Sequence, residues 1–225
     1  MKGIMFKPDM HKAIMEGRKT VTRRLDGLKE INEHPGEWYR VMGWGGCEDF
    51  LFGTDARKLF KAGAFLFTHH PTCDSTLGVE VKPRYRVGEV VYVKEAYSHY
   101  GNTFNAGVSV ANLKYRDGVR RGVMFSDNDP PPETWWNTGK LLTHFQTPFF
   151  MPAWAARTFL EIVSVRPERL NEITLEECLL EGYDMERPES STSWYAHLWD
   201  SINPKHPWAS NPWLWRIAFK VVEKP

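Results

Sequence analysis

A chain of 225 residues, 42% hydrophobic and 25% charged, can bury a substantial core without disulfide or metal staples. Its 29 Lys and Arg nearly cancel 28 Asp and Glu, and the resulting charge of +1 argues against a broad basic face for long nucleic acids. No apolar run approaches the ~20 residues that cross a bilayer, no secretory pattern opens the chain, and the three cysteines are odd in number and irregularly spaced. A cytoplasmic protein with free thiols and no membrane partner is therefore expected, and the ten tryptophans must fill a core or line a cleft.

Residues 6–17 read as a first helix: Pro8 suits an initial helical position, Met10, Ala13 and Ile14 share a face, and Gly17 can end it in a left-handed conformation. Strands are expected over residues 20–25 and, entered through Gly88, over residues 89–95. Between them, residues 26–87 hold Gly43, Gly45 and Gly46 without a sustained period and read as an insertion. A second insertion spans residues 98–148, with a strand near 109–115, a turn at Asp117-Gly118, an exposed proline-rich loop over 127–133, and Trp135 and Trp136 pinning that loop.

A half-buried strand follows over residues 158–165. Residues 174–182 have the clearest helix grammar: Thr174 and Glu177 form a capping box, Leu175, Cys178 and Leu179 share a face, and Gly182 stands past the end. Another helix is expected over residues 193–202, with Tyr195, Leu198, Trp199 and Ile202 on one stripe. In the last strand Trp213, Trp215, Ile217, Phe219 and Val221 alternate with Arg216 and Lys220. The whole reads as one α+β domain, mainly β, in which strands from both ends of the chain form a small closed or nearly closed barrel with peripheral helices and two insertions.

Two features carry chemistry. The segment Gly17-Arg-Lys-Thr-Val-Thr-Arg-Arg24 places four cations and two hydroxyls in eight residues, enough to clamp phosphate or carboxylate or to activate a hydroxyl nucleophile. A solvated strand edge has the same composition, and a joint role for Lys19 and Thr22 requires Lys19 to sit in the turn after Gly17. Glu181, in the last turn of its helix, faces the negative end of the dipole, a cost of only ~0.3 to 1 kcal/mol that chance placement tolerates.

Cys47, His69, His70 and Cys73 are possible soft ligands, but their spacing lacks a Cys-x-x-Cys pair and no metal is assigned to them. Cys178 is expected to be a small buried hydrophobe, and Trp199, Trp208, Trp213 and Trp215 to be packing, with one wall of a site as their second reading.

Four blocks together resemble the ASCH family of the PUA-like clan, in particular its larger phage and prophage members. They are Glu16-Gly-Arg-Lys-Thr-Val-Thr-Arg-Arg24, Gly88-Glu-Val-Val-Tyr-Val-Lys-Glu95, Met151-Pro-Ala-Trp-Ala-Ala-Arg157, and Leu198-Trp-Asp-Ser-Ile-Asn203 with Asn211-Pro-Trp-Leu-Trp215. Ala153 departs from the basic residue that phage-type members carry there. Small bacterial ASCH enzymes are amidohydrolases of N4-acetylcytidine that use a Lys, a Thr three residues later and a Glu on a later helix; the resemblance implies these roles for Lys19, Thr22 and Glu181.

On that reading Lys19 deprotonates Thr22, whose oxygen attacks the acyl carbon, and Glu181 handles protons for the leaving amine. Arg18, Arg23 and Arg24 hold phosphate or the oxyanion, and Tyr92, Trp154 or Trp213 stacks on the base. No cofactor enters this scheme. A non-catalytic module that binds RNA or a nucleotide through the same cations, and a ribonuclease that stabilises charge on phosphate, are the other two readings. The sequence specifies no oligomeric state.

Overall fold

The computed structural model describes residues 1–40, 63–69, 78–100, 113–116, 119–125 and 147–225. The chain is mixed α+β with strands predominating, and among the described residues its sheets are open at their edges. The turn at Asp117-Gly118, the loop over 127–133, and Trp135 and Trp136 lie outside the described residues. Two compact units are present, one formed by residues 1–15, 90–161 and 221–225, the other by residues 16–89 and 162–220.

In the first unit, β1 (Gly3–Met5) runs parallel to β6 (Val90–Lys94), and the beginning of β10 (Phe159–Arg169) pairs antiparallel to β6 on its other side. Leu160 pairs with Val91, so alternate residues of both strands enter a common apolar layer. Tyr92, Met151, Ala155, Ala156 and Phe159 form a core cluster, on which Trp154 and Val222 pack. A second sheet has the order β7 (Tyr97–Tyr100), β9 (Val119–Phe125), β8 (Leu113–Arg116), so the second insertion contains regular structure of its own.

Helix α1 (Pro8–Met15) begins on its proline and is followed by Gly17 at a φ of 74°. Its buried residues are His11, Ala13 and Ile14, so a histidine takes the place expected for Met10. This imidazole is tied on both sides: its Nδ1–H donates to the Glu95 carboxylate, and Nε2 lies 3.1 Å from the Thr158 hydroxyl oxygen. Arg157 completes the arrangement with a two-pronged contact to Glu95 at 2.8 and 2.9 Å. Burying a histidine is tolerated here because each ring nitrogen has a partner.

In the second unit, β2 (Val21–Arg24) pairs antiparallel with β11 (Trp213–Val222), and β11 lies next to β10. The first insertion supplies a separate antiparallel sheet, β3 (Tyr39–Arg40), β4 (Phe65–Thr68) and β5 (Gly78–Val81). Trp213 lies 5.1 Å edge-on from Phe67, and Trp215 lies 5.2 Å from Phe65, so strand aromatics serve as packing. Asn32 imitates a strand residue: its side chain donates to the Trp213 carbonyl at 2.8 Å and accepts from the Trp213 amide at 2.7 Å.

Helix α2 (Leu175–Leu180) is capped by Thr174, whose hydroxyl accepts from the Glu177 amide at 3.3 Å. At the other end Gly182, with φ of 99°, completes a Schellman turn: its amide donates to Leu179 and that of Tyr183 donates to Cys178. Helix α3 (Ser191–Ile202) is capped by Ser190 and buries Trp194, Tyr195 and Trp199. The helix starts two residues before the expected position, its inward stripe includes Trp194, and Ile202 is exposed.

Two stability predictions follow from these contacts. Replacing Gly182 by Ala forces a Cβ into the left-handed region and should lower unfolding free energy by about 1 kcal/mol, measurable by urea denaturation. For Glu95, burial raises the carboxyl pKa, but His11 and Arg157 together outweigh it and hold it below the usual carboxylate range. The unfolded chain therefore binds the proton first as pH falls, so this contribution is present above the ordinary carboxylate pKa and is lost as pH drops through the lowered one. Urea midpoints recorded from pH 7 to pH 3 should fall less steeply with acid in Glu95→Gln than in the parent.

Candidate functional site

Helix α2 ends at the basic segment, and that junction forms the candidate site. A short α-helix leaves its last carbonyls without partners inside the helix. Here they are satisfied in sequence order. The Cys178 and Leu179 carbonyls are taken by the Schellman amides, Leu180 accepts from the Thr20 amide at 2.9 Å, Glu181 from Lys19 Nζ at 3.1 Å, and Gly182 from Arg18 at 3.3 Å. Lys19 and Glu181 also form an isolated antiparallel bridge. Two cations thus sit at the negative end of the helix, where its dipole favours them.

The side chains make a second layer of contacts. Lys19 Nζ donates to Oε2 of Glu181, and both residues are 3% exposed. Glu181 Oε1 accepts from Arg23 at 3.0 Å and from the Tyr195 hydroxyl at 3.3 Å. Each carboxylate oxygen therefore has its own donors: the ammonium on one, a guanidinium and a phenol on the other. Burial lowers the Lys19 pKa, aided by the Arg24 and Arg23 charges and only partly offset by Glu181. Burial also raises the Tyr195 pKa, with the Glu181 charge adding to it, so the phenol stays protonated and can only donate to the carboxylate.

Arg23 stands opposite Arg216 in the β2–β11 ladder, an arrangement that would repel if left alone. Carboxylates separate the two charges. Arg23 Nε donates to Glu168 at 2.7 Å and its terminal nitrogen pairs with Glu177, while Arg216 Nε donates to the other oxygen of Glu177 at 2.7 Å. Arg166 reaches that same Glu177 oxygen at 2.9 Å. Burial would lower the Arg23 pKa, but Glu181, Tyr195, Glu168 and Glu177 reverse the direction and raise it, so this guanidinium is permanently charged. The Glu177 carboxylate, expected to help cap its own helix, is turned toward these arginines instead.

Among the residues expected to act, Lys19, Glu181 and Arg23 come together. Thr22 is buried on β2 opposite Ile217, and side-chain alternation points it away from the face on which Arg23 meets Glu181. Among the described residues no hydrogen bond joins Thr22 to Lys19 or Glu181. Arg18 is half-exposed and donates to Glu16 at 2.8 Å. Arg24 lies at the end of β2 opposite Trp215, and burial lowers its pKa.

The three expected base-stacking aromatics have structural roles of their own. Tyr92 and Trp154 belong to the core of the first unit, where the Tyr92 hydroxyl donates to the Met151 carbonyl at 3.1 Å. Trp213 is buried in the second unit, and its indole N–H donates to the Trp38 carbonyl at 3.2 Å. Cys178 is a fully buried free thiol with its pKa raised by burial.

Of the four possible metal ligands, Cys47, His70 and Cys73 lie outside the described residues. His69 stacks on Trp38 with ring centroids 3.7 Å apart. Among the described residues no group of three or more His, Cys, Asp or Glu side chains could hold a metal ion. No helix among them is long and apolar enough to cross a membrane.

Sequence reading missed Glu168, Glu177, Arg166, Arg216 and Tyr195. One signal was present: Glu177 and Glu181 are four residues apart, so both carboxylates lie on one face of α2. Their partners come from β2, β10, β11 and α3, and no local spacing announces that meeting. No family model, curated protein or solved structure matches the chain.

The lattice of charges gives a direct expectation. Replacing Arg23 by Met leaves three buried or half-buried carboxylates short of a donor, and should cost about 3 to 5 kcal/mol in urea unfolding. Lys19 gives a pH-dependent one. Its folded pKa is below the ordinary 10.5, so the unfolded chain binds more protons in the window between the two values and stability from this group rises with pH there. Lys19→Met should remove that rise from a stability profile recorded at alkaline pH.

Proposed function

We propose that the chain is a large ASCH-type protein of PUA-like architecture that hydrolyses the amide of an N4-acylated cytidine or a related modified nucleobase. The observation that carries this reading is the meeting of Lys19 with Glu181, 162 residues apart in sequence, in a buried contact. An amine whose proton is loosened by burial is suited to act as a base, and a carboxylate beside it is suited to accept and return the proton.

In this scheme Lys19 first passes its proton to Glu181. The neutral amine takes the proton of the Thr22 hydroxyl as its oxygen attacks the acyl carbon. The C–N bond of the tetrahedral adduct then breaks while Glu181 protonates the departing amine, leaving an acyl ester on Thr22. Glu181 then deprotonates a water that attacks the ester, and Lys19 returns its proton to the departing Thr22 oxygen, which restores the hydroxyl and releases the carboxylic acid. Thr22 lies on the other face of β2, so this sequence requires the backbone between Lys19 and Thr22 to rearrange when substrate binds.

That separation favours one other reading, a binding module of the same family without chemistry. In it the Arg18-Lys19-Thr20 run is a cap for α2, and the protein recognises RNA or a nucleotide. The sequence assigns that recognition to Arg18, Lys19, Arg23 and Arg24; with Lys19 and Arg23 buried as ties for α2, it falls to the more exposed cations of the segment, Arg18 first.

Incubation with N4-acetylcytidine, followed by chromatographic detection of cytidine and acetate, separates the two. Under the hydrolase reading Lys19→Ala, Glu181→Gln and Thr22→Val each reduce turnover at least 100-fold while the proteins remain folded by circular dichroism. Full turnover by Thr22→Val sinks the threonine mechanism. Absence of turnover in the parent, with salt-sensitive RNA binding retained in Thr22→Val, establishes the module instead.

A further inference from the structure

Glu181 has two oxygens with different company, and the division originates in α3. Tyr195 lies on the buried stripe of that helix, its ring packed 6.4 Å from Trp199 and 6.3 Å from Trp208. The Arg23 guanidinium carbon stands 5.6 Å from the Tyr195 ring centroid while its NH1 donates to Glu181 Oε1 at 3.0 Å. The Tyr195 hydroxyl donates to that same Oε1 at 3.3 Å. A carboxylate rotates about its last bond unless its oxygens are distinguished, and here a cation and a phenol on Oε1 leave Oε2 for Lys19.

We propose that Tyr195 is a positioning residue of the candidate site, one whose hydroxyl fixes the Glu181 carboxylate so that Oε2 is presented to the Lys19 amine. The assignment of a catalytic consequence rests on the hydrolase reading above; the positional claim stands on the geometry alone. Tyr195 acts through Glu181 and needs no contact with a substrate. Its hydroxyl suits the task because the ring is held by tryptophans and arginine, so no side-chain freedom remains to be lost when the hydrogen bond forms. The titratable and charged groups near Glu181 are Lys19, Arg23 and Tyr195 in direct contact, with Arg24 of β2 and Cys178 of α2 further off.

Tyr195→Phe removes one oxygen and keeps the ring, so the packing with Trp199 and Trp208 survives and thermal unfolding verifies the fold. The decisive measurement is the titration of Lys19, followed by NMR of protein carrying 13C at lysine Cε, with Lys19→Arg identifying the signal. If the Tyr195 hydroxyl holds Oε2 toward Lys19, its loss lets the carboxylate turn and weakens the contact that favours the ammonium, so the Lys19 midpoint should move downward in Tyr195→Phe. If the parent hydrolyses N4-acetylcytidine, kcat should also fall about 10-fold with KM changed by no more than about twofold, because orientation rather than binding is lost.

An unmoved or raised Lys19 midpoint in a folded Tyr195→Phe protein overturns the inference whatever happens to turnover. A lowered midpoint with an inactive parent upholds the positional claim and removes the hydrolase reading, so the two failures are distinct.

Discussion

Helix α2 is six residues long, and its apolar side chains do little to hold it. Leu175 is 50% exposed and Leu180 is 38% exposed, leaving Cys178 as the buried residue of the helix. Its position depends instead on charge: Glu177 and Glu181 meet guanidiniums and an ammonium from the strands beneath, and its final carbonyls meet the segment Arg18-Lys19-Thr20. Such an arrangement is demanding, because removing buried charges from water is costly and is offset only if every partner is present. It is also specific, since a shift of one residue along the helix would separate both carboxylates from their partners at once.

The same demand gives the site its chemical character. Three carboxylates gather around Arg23, whose charge is secured by them, and one of the three is shared with an amine whose proton is loosened by burial. Permanent charge on the guanidinium and a labile proton on the lysine are two outcomes of one neighbourhood. Arg23 is enclosed by several anions, while Lys19 has one anion and two cationic neighbours. A structural tie and a reactive pair are consequently adjacent on the same helix end, which is why the cap reading and the hydrolase reading both begin from Lys19.

The first unit uses the same principle on a smaller scale. His11 is buried on α1, and its ring is fixed by Glu95 and Thr158 while Arg157 holds the carboxylate. Both units therefore fasten a short helix by polar contacts, in a chain whose strands supply most of the apolar layer.

Local rules in the sequence were sufficient for the ends of α1 and α2, though not for the start of α3 or the far end of β10. Thr174 and Gly182 mark α2 because a hydroxyl can satisfy a free amide and a glycine can adopt positive φ, and Pro8 and Gly17 frame α1 on the same grounds. Alternation of Trp213, Trp215, Ile217 and Phe219 marked β11, since side chains on one face of a strand repeat every two residues, while Leu214 is buried on the other face. The basic segment and Glu181 were legible as unusual residue types at helix ends. What they touch was decided only by tertiary structure: Tyr195 looked like packing, Arg216 like the outward face of a strand, and Thr22 like a neighbour of Lys19. Pairing across four elements sets those contacts, and the energy of a charge depends on which other charges the fold brings within a few ångströms, a quantity that no spacing along the chain encodes.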